Sequence, residues 1–391
     1  MTEKRRVAVT GIGVISPVGI GLEAFWQGLL SPQPTGPRRA QDFDPKDYYE
    51  DAKAIRRADR FEQFAVAAAQ QALEQSGALT VAKDRIGVLV GTGIGGAQTH
   101  EDQTLVLDKK GARRVSPFTV PMMMANAGSA AISMRHGFQG PCECLTTACA
   151  TGTHAIGSAA RWIQYGICDA VVAGGSEAAM TPIAISGFAN MKALSATGIS
   201  RPFDATRDGF VISEGGAVLV LEEWEEATRR GATILGEILG SASVADAHHI
   251  TAPAPGGAGA TRCMQRALDD ANLEASAIAH INAHGTSTPL NDRAEAEGIA
   301  KMFGRPGPIV TSIKGVTGHS LGASGALEAA SVLLAMHHAL IPPTDGLEQF
   351  DPELPMIDVV QKDARPWTPG PSLSNSFGFG GHNGTVVLGP A

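Results

Sequence analysis

Short apolar runs closed by glycine alternate along the chain with longer stretches whose apolar residues recur every three or four positions. The first kind predicts buried strands and the second amphipathic helices. Arg5 to Thr10 is the first such strand, closed by a turn at Gly11 to Gly13. Residues 22–30 predict a helix stopped by "SPQPTGP", and the alanine-rich 62–76 predicts another, ending at Gly77. "RIGVLVGTGIGG" is a strand entering a glycine loop. Residues 108–121 form a polar arm, and "MMMANAGSAAISMRHG" a further helix. "CECLTTAC", "CDAVVAGGSEA" and "GGAVLVLEE" predict three more strands.

The second part of the chain repeats this grammar. "ATILGEILGSASVAD" predicts a strand, "ATRCMQRALDDAN" a helix, "IAHINAHGTST" a strand running into a polar loop, and "PIVTSIKGVTGH" a strand and loop. "GALEAASVLLAMHHAL" is an apolar helix, and "MIDVVQ" and "SLSNSFGFGGHNGTVVLG" close the chain. The helix-then-strand pair at 62–91 is echoed at 261–284. Two similar α/β halves, 1–231 and 232–391, are therefore expected in one continuous body.

Composition narrows the class. Among 391 residues, 43% are hydrophobic, 18% charged and 47 are glycine, which suits long buried elements with close backbone approaches. A net charge of -8 argues against a nucleic-acid partner, so any acidic partner needs a local basic patch. Glycine, serine and proline interrupt the N-terminal apolar run, so no signal peptide is expected. No stretch of about 18 apolar residues predicts a membrane span. Five cysteines in so long a chain make no disulfide framework, which predicts reduced thiols and a cytoplasmic protein.

Cys149 stands between "ECLTTA" and a small-residue stretch that leads into a helix. Free N–H groups at a helix start favour a thiolate and can hold an oxyanion, although a small buried core cysteine has the same look. Cys142, Cys144, Cys168 and Cys263 take the core reading. "CEC" at 142–144 has no second cysteine pair, so no metal is expected. His284 and His319 each lie in a glycine-bounded loop at a strand end, where α/β folds place sites.

Taken together, "TTACATG", "NAHGTSTPLND", "KGVTGHSLGASGALE" and "SNSFGFGGHNG" resemble the β-ketoacyl-acyl carrier protein synthases, in particular the elongating type. "VAVTGIGVISPVG", "GTGIGG", "VVAGGSEA" and "RPFDATRDGFVISEGGAVLVLE" extend the resemblance over nearly the whole chain. The resemblance implies the thiolase fold, a five-layered α-β-α-β-α body of two pseudo-repeated halves, and a homodimer. A heterodimer with a chain-length-factor-like subunit is the variant.

It implies that Cys149 carries an acyl chain as a thioester. His284 and His319 then stabilise the enolate left when malonyl-acyl carrier protein loses carbon dioxide. Lys314 and Glu328 order the histidines. Phe379, between Gly378 and Gly380, gates the acyl pocket and adds its N–H to the oxyanion hole. Thr286 and Thr288 hold the phosphopantetheine arm, and Ile94 lines the acyl pocket. No cofactor is implied beyond the phosphopantetheine of the acyl carrier protein. Arg56, Arg57 and Arg60, or Lys109, Lys110, Arg113 and Arg114, would meet that acidic partner. "ALSATGISRPFD" is shorter than the family loop, and His382 stands where many members have threonine. A coenzyme A thiolase would need a second cysteine near the C-terminal glycine loop, and none is there. A ketosynthase of a dissociated polyketide pathway shares the motifs and is the alternative.

Overall fold

The computed structural model describes residues 4–32, 35–305 and 307–391; part of the "SPQPTGP" stop lies outside them. In chain order the main strands are β1 (Val7–Ser16), β2 (Ile86–Gly91), β3 (Cys142–Glu143), β4 (Ala170–Glu177) and β5 (Gly215–Glu223). There follow β6 (Gly236–Ala245), β7 (His280–Asn282), β8 (Ile309–Thr311), β9 (Asp358–Val359), β10 (Ser372–Gly378) and β11 (His382–Gly389). The main helices are α1 (Leu22–Leu29), α2 (Arg60–Ser76), α3 (Ala97–Lys110), α4 (Ala127–His136), α5 (Thr151–Gln164), α6 (Pro182–Asn190), α7 (Ala258–Ala271), α8 (Pro289–Phe303) and α9 (Ser324–His338).

The strands run across the molecule in the order β3-β2-β4-β5-β1-β6-β11-β10-β7-β8-β9. Outward from the centre, β1, β5, β4, β2 and β3 answer to β6, β11, β10, β7 and β8. The pairings also match: antiparallel, antiparallel, parallel, parallel on each side. β1 and β6 meet through only Ala8–Glu237 and Val9–Gly236, the seam between the two sets.

Alternation along the strands builds five layers. Leu219 and Leu221 face a central cluster with α5 and α9, where Val386 and Leu388 of the other set also point. Val218 and Val220 face outward under Phe61, Phe64 and the alanines of α2. Val387 and Leu373 face outward under Met264 and Leu268 of α7. Thus α2 and α4 cover one side, α7 and α8 the other, and α5 and α9 fill the middle.

Four local expectations fail for identifiable reasons. The glycines at 11 and 13 do not close a turn, since β1 runs through them to Ser16. A Cβ at Gly11 would stand 2.0 Å from the Ala72 carbonyl oxygen, and one at Gly13 1.9 Å from that of Ala68, so both exist to let α2 press onto the strand. The polar arm begins as the end of α3, in which Thr99 is the buried residue; its large apolar residues, Leu105 to Leu107, are consecutive and make no stripe along one face. The helix expected from Met122 begins at Ala127, after a short helix Thr119–Met123. "CECLTTAC" is strand only at Cys142–Glu143, because the chain then leaves the sheet to build the turn around Cys149.

Candidate active site

Cys149 lies in a 3-10 turn, Ala148–Ala150, immediately before α5. Ala148 has φ 51°, a left-handed conformation that an alanine adopts only when its surroundings impose it. Thr151 imposes it: its hydroxyl donates to the Ala148 carbonyl at 2.8 Å and accepts the Thr147 N–H at 2.8 Å. A twin of this elbow precedes α9, at Leu321–Ala323, where Leu321 has φ 47°. Gly322 occupies the cysteine's place there, and its N–H donates to the Glu177 carboxylate at 3.1 Å. Glu177 also takes the Gly93 N–H at 2.8 Å and the Thr92 hydroxyl at 3.0 Å.

The state of Cys149 differs from the expectation. Burial pushes its thiol up to about 12, against the lowering by the Lys314 charge and the Phe379 N–H. Loss of hydration thus favours the thiol in the free site, where the helix start alone would favour the thiolate. Gly378 lies against the same turn; a Cβ there would stand 2.9 Å from the Thr147 carbonyl oxygen and 3.0 Å from the Cys149 nitrogen. Gly380 has φ 83° and donates its N–H to the Ile250 carbonyl at 2.7 Å. That bond and Asp246 N–H to the Gly381 carbonyl (2.8 Å) moor the loop bearing Phe379.

His284 follows β7, and its neighbourhood fixes its proton. The Lys314 ammonium lies 3.3 Å from His284 Nδ1, donates to the His284 carbonyl at 2.7 Å and pairs with Glu328. An ammonium only donates, so Nδ1 accepts and the proton of the neutral ring sits on Nε2. His319 Nδ1 lies 2.9 Å from the Ser324 hydroxyl, so a ring that carries its proton on Nε2 finds a donor there. The two rings stand edge to face with centroids 5.4 Å apart. Burial first, and then the Lys314 charge, hold both histidines well below the ordinary imidazole value, so both are neutral. Burial also lifts Glu328 to about 7, with Lys314 opposing.

Cys149, both histidines, Thr286, Thr288, Gly378 and Phe379 line one cavity of about 240 Å³, with an apolar wall that includes Phe188, Met191, Phe210 and Leu321. The Thr286 and Thr288 hydroxyls are 2.9 Å apart. Ile94 is not brought there: it is 49% exposed on the glycine loop after β2. One basic residue also differs from expectation: Arg60 is half-buried and binds Glu214 at 2.7 Å, whereas Arg56, Arg57, Lys109, Lys110, Arg113 and Arg114 are exposed, Arg57 stacking on Phe118.

Several residues of the site escape sequence reasoning. Glu295 accepts the N–H groups of His284 and Gly285, both at 2.8 Å, and Asp292 accepts that of Ser287. Glu295 carried a readable signal: it is an acid between two alanines on a helix, much as Glu328 stands between Leu327 and Ala329. Ser324 carried none, since a serine near a helix start is ordinary.

This chain is similar to known proteins over its whole length. A family model for the beta-ketoacyl synthase N-terminal domain matches residues 34–227, and one for the C-terminal domain matches residues 235–348. The 3-oxoacyl-[acyl-carrier-protein] synthase 2 of Synechocystis sp. is 45% identical, over 99% of this chain and 98% of that protein. The solved ishigamide ketosynthase/chain length factor superposes with a TM-score of 0.91 at 32% identity, over 99% of this chain and 100% of its own. A type II PKS acyl-carrier protein in complex with its ketosynthase, bound to the hexaketide, gives 0.90 at 29% identity, with the same coverage.

Proposed function

The chain belongs to the β-ketoacyl synthase family, and from that premise we propose that it makes 3-oxoacyl-acyl carrier protein by decarboxylative condensation in fatty acid elongation. The observation that carries this reading is the neutral histidine pair, each Nδ1 engaged and both rings lining the cavity that Cys149 also lines.

Acyl transfer comes first. The Cys149 sulfur forms a bond to the acyl carbon, the carbon–sulfur bond to pantetheine breaks, and the thiol proton ends on the pantetheine sulfur. The developing oxyanion takes the N–H groups of Cys149 and Phe379. Malonyl-acyl carrier protein then loses carbon dioxide, and its thioester oxygen gathers the charge as an enolate. The Nε2–H groups of His284 and His319 donate to that oxygen, each worth about 3 kcal/mol. The enolate carbon attacks the Cys149 thioester, the carbon–sulfur bond to Cys149 breaks, and the released thiolate takes up one proton from solvent. No cofactor enters this scheme, and Thr286 and Thr288 hold the pantetheine arm.

The halves 1–231 and 232–391 divide the work, the first supplying Cys149 and the second the histidines and the Phe379 loop. The exposed Lys109, Lys110, Arg113 and Arg114 fit an acidic carrier protein. A second copy of the chain fits the face that leaves Ile94, Val120, Met124, Met134 and Ile183 exposed beside the short edge strand β3. A chain-length-factor-like subunit is the other occupant of that face, and Ile94 would join an acyl pocket only once it is covered. Among the described residues no helix is long and apolar enough to cross a membrane. All five cysteines are free, which supports a cytoplasmic setting.

A ketosynthase of a polyketide system is the second reading, favoured by the solved neighbours. The higher identity to the Synechocystis synthase sets it behind.

The test is intact-mass measurement after incubation with acyl-acyl carrier protein. One acyl mass is expected on Cys149 and none on Cys149→Ala; an equal load on the variant refutes the assignment.

A further inference from the structure

His154 lies in the first turn of α5, is 7% exposed, and does not line the cavity. Both of its ring nitrogens are nevertheless engaged. Nδ1 is 2.8 Å from the Thr147 hydroxyl, and Nε2 is 3.1 Å from the Asn383 carbonyl oxygen. A carbonyl oxygen only accepts, so Nε2 carries the proton and Nδ1 accepts from Thr147. Burial keeps the ring neutral, which this arrangement requires, and the nearby Arg161 and His382 act in the same direction.

The two partners belong to the two sides of the site. Thr147 opens the turn that presents the Cys149 N–H. Asn383 stands in β11, just past the moored loop that presents the Phe379 N–H. The ring spans them because residue 384 is glycine: a Cβ there would stand 2.9 Å from ring atoms Cδ2 and Nε2.

We propose that His154 is a positioning residue that fixes the spacing between the two N–H groups holding the acyl-transfer oxyanion. The inference rests on the reading of Cys149 as acyl acceptor. Two donors act on one oxygen only when both lie about 2.7–3.1 Å from it, so a brace joining their supports controls acyl transfer. The enolate is held by the other pair, His284 and His319, and does not depend on that brace.

The experiment therefore separates the half-reactions. His154→Phe keeps the ring's bulk and loses both bonds, while Thr147→Val removes only the hydroxyl and Thr147→Ser restores it. Single-turnover acylation of Cys149 by acyl-acyl carrier protein is expected to fall roughly tenfold to a hundredfold in His154→Phe and Thr147→Val, the scale of a displaced catalytic group. Thr147→Ser should recover it. Malonyl-acyl carrier protein decarboxylation, measured with each change added to Cys149→Gln, should match that of Cys149→Gln alone. Should His154→Phe not fold, the Thr147 pair shows the same split. Acylation at the wild-type rate in the variants overturns the proposal, as does an equal fall in both half-reactions. A wild-type chain that takes up no acyl group overturns the underlying reading and this inference with it; variants that acylate like an active wild type overturn this inference alone.

Discussion

Gly378→Ala adds one methyl group at the point where acyl transfer is most exposed to it. Residue 378 has no left-handed backbone requirement, so alanine is conformationally admissible there. The added carbon would stand 3.0 Å from the Cys149 nitrogen, 3.2 Å from that of Ala150 and 2.9 Å from the Thr147 carbonyl oxygen. An oxyanion donor acts at about 2.7–3.1 Å, so the methyl takes the place of the oxygen the Cys149 N–H must reach. Loss of one such donor costs about 2.7–4 kcal/mol, or roughly a hundredfold to a thousandfold in rate. Rapid-quench acylation at saturating acyl-acyl carrier protein, followed by intact mass, measures that step directly. Malonyl decarboxylation by the same variant should fall far less, because its oxygen is bound at the histidine pair. A thermal melt guards against simple unfolding. Acylation within about threefold of wild type would place the oxyanion elsewhere and refute the geometry assigned to Cys149 and Phe379.

Two further outcomes follow from the buried charges. Lys314→Met leaves the Glu328 carboxylate buried without its cation and frees His284 Nδ1. Decarboxylation should be largely lost, and stability should drop by about 3–5 kcal/mol in thermal or urea unfolding, with Glu328→Gln in the same chain recovering part of it. Full decarboxylation by the single variant would deny Lys314 its role. His280 gives a pH test: burial lowers its ring to about 3, so the native state holds it neutral while the unfolded chain takes up a proton below about 6.5. Wild-type stability relative to His280→Leu should therefore be constant above that pH and fall by about 1.4 kcal/mol per unit below it, or roughly 2 kcal/mol by pH 5. A pH-independent difference in urea unfolding would show that the ring is not sealed from water.

Much of the fold is legible in the sequence because most strands are buried on both faces and so stand out as unbroken apolar runs. What escapes has a common cause: it depends on what lies opposite. Gly11 and Gly13 look like a turn until α2 is seen pressing on them. α3 shows no stripe because it buries only Thr99 among its residues. In the site, Cys149, His284, Lys314, His319, Glu328 and Phe379 come from segments far apart in sequence, and the structure brings them together. Their motifs stand out because reactive side chains sit among glycines at strand ends. Ser324 and His154 are not legible in the same way, since each acts by touching a residue across a turn or distant in the chain. The thiol state of Cys149 is also beyond sequence, because the helix start is visible there and the depth of burial is not.

The twin elbows are one piece of geometry put to two uses. A strained residue, a short turn and a buried helix occur twice, at Ala148 and at Leu321, at answering places in a strand order that itself occurs twice. The two differ in what they hold: the first carries a sulfur at its elbow, while the second has Gly322 there, its N–H bound by the molecule's own Glu177. That carboxylate acts as a built-in plug for the vacant twin. A single chain with two such elbows thus offers one point of attack, and His319, beside the plugged elbow and bonded to Ser324, lines the cavity of the other.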